Sequence, residues 1–408
     1  MGKYYRETPL ERSETGESRT IDWSFESIVQ HAAAEGVYDL GPGYLDPQLI
    51  PVPDIKAAFD EALSRYGAAA LAYGHNQGAL PFRAAVADRL ADGDGTDYTP
   101  SHLLATGGTS QALDLLAAAV AEPGQAVVVE SLTYDLALQI FRDRGLVVYA
   151  VERDSEGMLP SAVDQAAARA RQERRGIAFV YLVPTFHNPT GSEMSQPRRT
   201  ALLESAARHQ MLVVEDDAYA DLPLTPRTRQ PSLAGLADFR GVVRLGTFSK
   251  SLAPGLRLGW LAAGPRLCRE LAGRGLFTSG GCPSHLAALA VGLLLESGFY
   301  EDHLRWLHSE LKCRRDALTD TLHNLLPGEW HLRPADGGLF SWVDIPAGVS
   351  EFDAVAAAEQ GGVLTSPGER FGSDAEPGVR LSYAYNSPER LAAAAASLAD
   401  AWRPLSAG

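Results

Sequence analysis

From about residue 54 to residue 275 the chain alternates helical patterns with short, continuous apolar runs, and this alternation restricts its folding more than any other feature. The runs include Ala126-Val127-Val128-Val129-Glu130, Leu146-Val147-Val148-Tyr149, Ile177-Ala178-Phe179-Val180-Tyr181-Leu182 and Met211-Leu212-Val213-Val214. Strands apolar on both faces must be covered on both faces, so the pattern predicts a mainly parallel sheet between helices. Such a sheet collects ligands at the carboxyl ends of its strands, which makes the residues just after each run the candidates for chemistry. At 408 residues and 45% hydrophobic, the chain is long enough for one large domain and one smaller one.

The segment from Gly246 to Trp260 places one amine, Lys250, among hydroxyls, glycines and a downstream arginine. An amine so placed can condense with an aldehyde as a Schiff base, while Thr247, Ser249 and Arg257 supply donors to a dianionic phosphate ester beside it. Those are the needs of pyridoxal 5′-phosphate. A Ser-Lys pair among glycines is by itself more often a surface loop, so the neighbouring segments decide. Thr106-Gly107-Gly108-Thr109-Ser110 precedes an apolar stretch with helical spacing, which predicts a helix N-terminus whose free N–H groups, with the hydroxyls of Thr109 and Ser110, bind phosphate. Asn188, in the turn after the 177–182 run, offers an amide to a phenolic oxygen. Glu215, Asp216 and Asp217 end another buried run, where three acids are costly unless one meets a cation such as a pyridinium nitrogen.

On these residues the chain resembles the fold-type I pyridoxal-phosphate enzymes of the class I/II aminotransferase family, from about residue 35 to the C-terminus. Within that family it is similar to the 2-aminoadipate and kynurenine aminotransferase branch, which shares its catalytic domain with MocR-type regulators. The resemblance implies an α/β fold, with a large domain built on a mainly parallel seven-stranded sheet and a smaller α+β domain. It also implies transamination between an L-amino acid and a 2-oxo acid. Lys250 then carries the cofactor and moves the α-proton, Asp216 partners the pyridine nitrogen, and Asn188 and Tyr219 flank the phenolic oxygen. By the same resemblance Tyr134 stacks on the ring, and Thr109, Ser110, Thr247, Ser249 and Arg257 form the phosphate cup. Tyr73 matches a tyrosine that reaches the neighbouring subunit's phosphate, which implies a homodimer with shared sites, and Arg380 matches the clamp for the substrate α-carboxylate.

Three places depart from the family pattern. His187 stands where glutamine or a small polar residue is usual, and its imidazole is expected near the substrate. His308-Ser309-Glu310-Leu311 replaces an Arg-x-x-Tyr pattern, and the segment from Phe277 to His285, with Cys282, is unusually rich in glycine and cysteine. These leave open a rival outcome on the same cofactor: β- or γ-elimination, replacement or carbon–carbon bond formation in a natural-product pathway, with an S-adenosylmethionine-like substrate as one case. A ligand-sensing MocR-like domain is a weaker rival, since no helix-turn-helix module precedes residue 35 and the net charge of −15 argues against a nucleic-acid partner.

Cys268, Cys282 and Cys313 form neither metal spacing nor a disulfide framework, and no apolar run suits a signal core or a membrane span, so the cytoplasm is the expected compartment. Polar residues 1–20 predict a mobile arm; 54–279 read as the large cofactor-binding domain, and 21–53 with 280–408 as the small one. A strand is expected at Gly337–Val343 and amphipathic helices from about 285 and over Leu391–Ala401.

Overall fold

Valine-rich runs with no polar face become the interior strands of a seven-stranded sheet. The strands are β1 (Leu103–Thr106), β2 (Ala126–Glu130), β3 (Val147–Val151), β4 (Ile177–Leu182), β5 (Leu212–Asp216), β6 (Val242–Thr247) and β7 (Gly259–Ala262). They are seen in a computed structural model that describes residues 36–226, 230–333, 335–372 and 377–406, and the described residues from Val37 onward belong to one compact unit. The arm expected over residues 1–20 lies outside the described residues.

The spatial order is β1-β7-β6-β5-β4-β2-β3, parallel except for β7, which runs against both neighbours. Helices Asp135–Asp143, Pro160–Gln172 and Gln196–Arg208 make the crossovers from β2 to β5. The carboxyl ends of β1, β2, β4, β5 and β6 therefore share one edge, and the start of reversed β7 joins them. A Cβ added to Gly259 would lie 2.5 Å from Gly246 O and 2.8 Å from Gly108 Cα, so glycine is what lets three segments meet at that edge.

A second, antiparallel sheet contains β8 (His331–Arg333), β9 (Phe340–Asp344), β10 (Ser366–Pro367) and β11 (Gly378–Ser382), in the order β8-β9-β11-β10. The expected helices are present as His285–Glu296, Phe299–Leu325 and Pro388–Trp402, the last two packed on each other. The strand expected from Gly337 begins three residues later, at Phe340. Gly337 and Gly338 instead turn against Phe186: a Cβ on Gly337 would come within 2.4 Å of that ring, and Gly338 has φ +76°. Among the described residues no helix is long and apolar enough to cross a membrane.

Candidate active site

The phosphate-binding residues expected from sequence converge at the β1, β6 and β7 edge. Helix Thr109–Val120 starts directly after Gly108, whose φ of +98° turns the chain so that the first N–H groups of the helix face the edge. Arg257, itself left-handed at φ +46°, donates from Nη2 to Gly107 O at 2.9 Å. A Cβ on Gly108 would stand 3.4 Å from that Nη2 and 3.7 Å from Thr247 Oγ1. Thr247 Oγ1 accepts from Ser249 N at 3.1 Å and donates to Ser249 Oγ at 2.9 Å, while Ser284 Oγ holds Arg257 O at 3.0 Å. Ser110 hydrogen-bonds Tyr134, whose phenol burial pushes well up. Together these residues make a cradle of N–H, O–H and guanidinium donors at a helix N-terminus.

The three acids after β5 separate cleanly. Glu215 accepts the N–H groups of Leu233 and Ala234 at 3.0 and 3.1 Å and meets Arg199 at 3.4 Å, and Asp217 Oδ2 takes Arg244 Nε at 2.9 Å. Each has its own protein cation. Asp216 has none so close: Oδ2 accepts the Tyr181 hydroxyl at 2.9 Å, and Oδ1 is buried without a hydrogen-bond partner among the described residues. Burial pushes its pKa up to about 6, against the lowering pull of Tyr181 and Lys250. Such an orphaned oxygen is what a protonated pyridine nitrogen requires.

Lys250, in the loop after β6, donates from Nζ to Gly43 O at 2.8 Å. Burial first, then the charges of Arg380 and Arg257, bring its pKa down to about 8 while Asp216 pulls the other way. Lys56 and Lys312 are exposed on helices, so Lys250 is the interior amine among the described residues.

Asn188 stands in the turn after β4, following which the Asn188-Pro189 peptide is cis. Its Nδ2 donates to Tyr219 OH at 3.4 Å, and its Oδ1 accepts Arg380 Nη1 at 2.9 Å. Arg380, central in β11, donates from Nη2 to Gly41 O at 2.6 Å and to Ser366 Oγ at 3.2 Å. Its guanidinium lies 4.1 Å from the Phe340 ring centroid and 4.8 Å from that of Phe371, and its Nε is buried without a partner among the described residues. Burial lowers its pKa to about 10.

Two of the departures from the family pattern have buried surroundings of their own. His187, expected near the substrate, is 1% exposed, with Nδ1 2.9 Å from Thr190 Oγ1 and Nε2 3.2 Å from Glu130 Oε2. Glu130 in turn meets Arg153 at 3.4 Å, so the ring lies in a buried polar cluster beside β2, with Nδ1 paired to Thr190 and Nε2 close to Glu130 but without a hydrogen-bond partner among the described residues. Cys282 is buried against the 75–79 turn, its N–H on His75 O at 3.2 Å and its thiol pushed up by burial, which is packing rather than chemistry. Tyr73, by contrast, is 88% exposed and points away from the chain's own core. His308 anchors the loop after Tyr219, its Nε2 2.6 Å from Asp221 O.

Sequence reasoning missed Tyr181 as a site residue, and also the Arg370–Asp135 pair at 2.5 Å, which lies close enough to act on the charge of Arg380. The signal for Tyr181 was a lone hydroxyl in an otherwise apolar strand, since a buried phenol needs a partner. The orphaned Asp216 oxygen at one end and the donor cradle at the other fit pyridoxal phosphate, with Lys250 between them as the amine.

Comparison with known proteins points the same way. Residues 36–398 match the family described as aminotransferase class I and II. Aromatic-amino-acid aminotransferase 1 of Thermococcus litoralis is 32% identical over 359 residues, 87% of this chain and 85% of that protein. The uncharacterized HTH-type transcriptional regulator YisV of Bacillus subtilis is 32% identical over 389 residues, 93% of this chain and 77% of that protein. LysN, the α-aminoadipate aminotransferase of Thermus thermophilus, solved with N-(5′-phosphopyridoxyl)-L-leucine, superposes with a TM-score of 0.80 at 30% identity, covering 93% of this chain and 96% of that one. With the site's geometry and a profile that spans most of its length, the chain belongs to the aminotransferase class I and II family and is a fold-type I, pyridoxal 5′-phosphate-dependent aminotransferase.

Proposed function

We propose that the enzyme moves an amino group between an L-amino acid and a 2-oxo acid, with Lys250 as the proton-transferring base, Arg380 as the carboxylate clamp and Asp216 as the partner of the ring nitrogen. One observation carries the reading: Lys250 and Arg380 bond to the same short segment, at Gly43 O and Gly41 O respectively. Two residues of chain span at most about 7 Å, so a base on one carbonyl is within reach of the α-carbon of an amino acid whose carboxylate lies at the other.

When bound, pyridoxal phosphate supplies an aldehyde carbon to take up the amino group and a protonated ring to disperse the electron pair left at the α-carbon. The chain's own residues do the rest. With a pKa near 8, Lys250 has a neutral fraction at physiological pH and can both accept a proton and return it to the adjacent carbon. Arg380, held by Asn188, Gly41 and Ser366, keeps Nε–H as the donor available to an incoming carboxylate. Asn188 and Tyr219 would flank the phenolic oxygen, Tyr134 would stack on the ring, and Thr109, Ser110, Thr247, Ser249 and Arg257 would hold the phosphate.

A homodimer is part of this reading. Leu71, Tyr73, Leu80 and Leu276 are exposed, and a groove of about 330 Å³ is lined by Tyr66, Tyr73, His75, Leu80 and His285. Exposed apolar area of this kind supports a covering partner, to whose phosphate Tyr73 would reach. The free cysteines support a reducing compartment such as the cytoplasm.

The test is borohydride reduction of the purified holoenzyme followed by peptide mapping, then incubation with a panel of amino acids and 2-oxo acids. A pyridoxyl group on Lys250 and 2-oxo acid products are expected. A pyridoxyl group on another lysine, or products of elimination in place of 2-oxo acids, would overturn the reading.

A further inference from the structure

Tyr181 lies on β4 with its side chain on the same face of the sheet as Asp216. In the parallel register it faces Val214, two residues before Asp216, so the two side chains are diagonal neighbours, and only a long side chain can bridge that offset. The phenol does so, its hydroxyl 2.9 Å from Asp216 Oδ2. It is fully buried, and Phe141 holds its ring edge-on with centroids 5.4 Å apart. Among the described residues the hydroxyl has no other hydrogen-bond partner, and the packing does not need it: Phe179, two residues earlier on the same strand, makes the same kind of contact with Phe141 at 5.5 Å through a plain ring.

We propose that Tyr181 is a positioning residue that pins one oxygen of Asp216, so that the other is presented to the cofactor ring nitrogen and the shared proton stays on nitrogen. The proposal rests on the reading of Asp216 as that nitrogen's partner. A carboxylate free to turn about its Cβ–Cγ bond presents either oxygen, whereas one held at Oδ2 presents Oδ1, the atom left without a partner. Donation by the phenol also stabilises the charged form of the carboxylate and makes it a weaker base toward the ring proton. Burial holds the Tyr181 phenol far above its ordinary value, so it remains a donor across the working pH range. The other groups acting on Asp216 are Asp217 beside it, the backbone N–H of Ala218 and Lys250 from the loop after β6, with Tyr134 and Tyr219 within electrostatic range. Among the described side chains, Tyr181 is the one that donates a hydrogen bond to it.

Tyr181→Phe keeps the ring and its packing and removes only the hydroxyl. In the apo-protein with ¹³C-labelled aspartate, the Asp216 carboxyl should titrate about one pH unit higher than in the wild type, the tenfold gain in proton affinity that follows loss of one hydrogen bond to a charge. In the holoenzyme with a ¹⁵N-labelled ring, the nitrogen signal should move toward that of an unprotonated pyridine, and α-proton exchange should slow about tenfold with KM little changed. Should that variant fold poorly, replacing tyrosine by 3-fluorotyrosine, a stronger donor of nearly the same shape, must move the Asp216 titration downward instead. An unchanged Asp216 titration and ring signal in Tyr181→Phe, even with a lower Tm, would reduce Tyr181 to packing and overturn the proposal. Asp216→Asn is the separate control: if it leaves the ring nitrogen signal as in the wild type, the reading of Asp216 itself fails.

Discussion

Asp216 places the apo-protein under a strain that pH should reveal. Its folded-state pKa is about 6 against an ordinary 3.8, chiefly because burial disfavours the charged form. The sign follows from proton binding: between those values the folded chain holds more protons at this site than the unfolded chain, so the site's contribution falls as pH rises through the window. A shift of about two units at 1.36 kcal/mol each is about 3 kcal/mol in full, of which about 2 to 3 kcal/mol develops between about pH 4 and pH 7.5. Asp216→Asn removes the titration. Whatever constant offset the amide introduces, the stability of apo wild type relative to apo Asp216→Asn should therefore drop by about that amount from the acid to the neutral end. Urea unfolding of both apo-proteins at several pH values measures it directly. In the holoenzyme, where by the proposed reading a ring cation would meet Oδ1, the trend should vanish or reverse. A difference between the two apo-proteins that does not change with pH would refute the argument that Asp216 is a buried carboxylate lacking a cation of its own.

Arg380→Lys should leave the cofactor's absorbance in place but raise KM for the amino acid by about 10- to 100-fold, because an ammonium cannot hold Asn188, Gly41 and a carboxylate in one plane. Steady-state kinetics decide, and an unchanged KM would make Arg380 a structural link between β11 and the Asn188 turn. His187→Gln should lower stability by about 1 to 3 kcal/mol, since it disturbs a buried network with Glu130 and Thr190, while turnover stays within about tenfold. Denaturation and kinetics on one preparation test this; a large loss of turnover with unaltered stability would return the imidazole to the chemistry. Sedimentation of the wild type should give a dimer, and substituting Leu71 and Leu80 with glutamate should produce monomers with greatly reduced activity, whereas fully active monomers would rule out shared sites.

The strands at 126–130 and 177–182 were legible residue for residue and the helix N-terminus near 106–110 to within a few residues, because apolar runs and small residues before a helical pattern are local signals. Lys250 and its neighbouring donors could be singled out only in combination: a loop of hydroxyls, glycines and one amine is common by itself, and the Thr106–Ser110, Asn188 and 215–217 segments gave it meaning. Resemblance picked Asp216 from three adjacent acids, but the physical reason belongs to the tertiary structure. Arg199 and Arg244 come from other elements to occupy Glu215 and Asp217, and their arrival leaves Asp216 as the acid with an orphaned oxygen and no cation of its own. The surroundings of His187 were not legible for the converse reason: Asn188 beside it bonds Tyr219 and Arg380, while its own ring lies against Glu130, 57 positions away in sequence. Gly337 and Gly338 looked like the start of a strand until Phe186 was seen to fill the space that any side chain there would need. Periodicity and loop chemistry are encoded within a few neighbouring residues. Which buried charge goes without a partner depends on what the rest of the chain brings to it, and only the folded structure decides that.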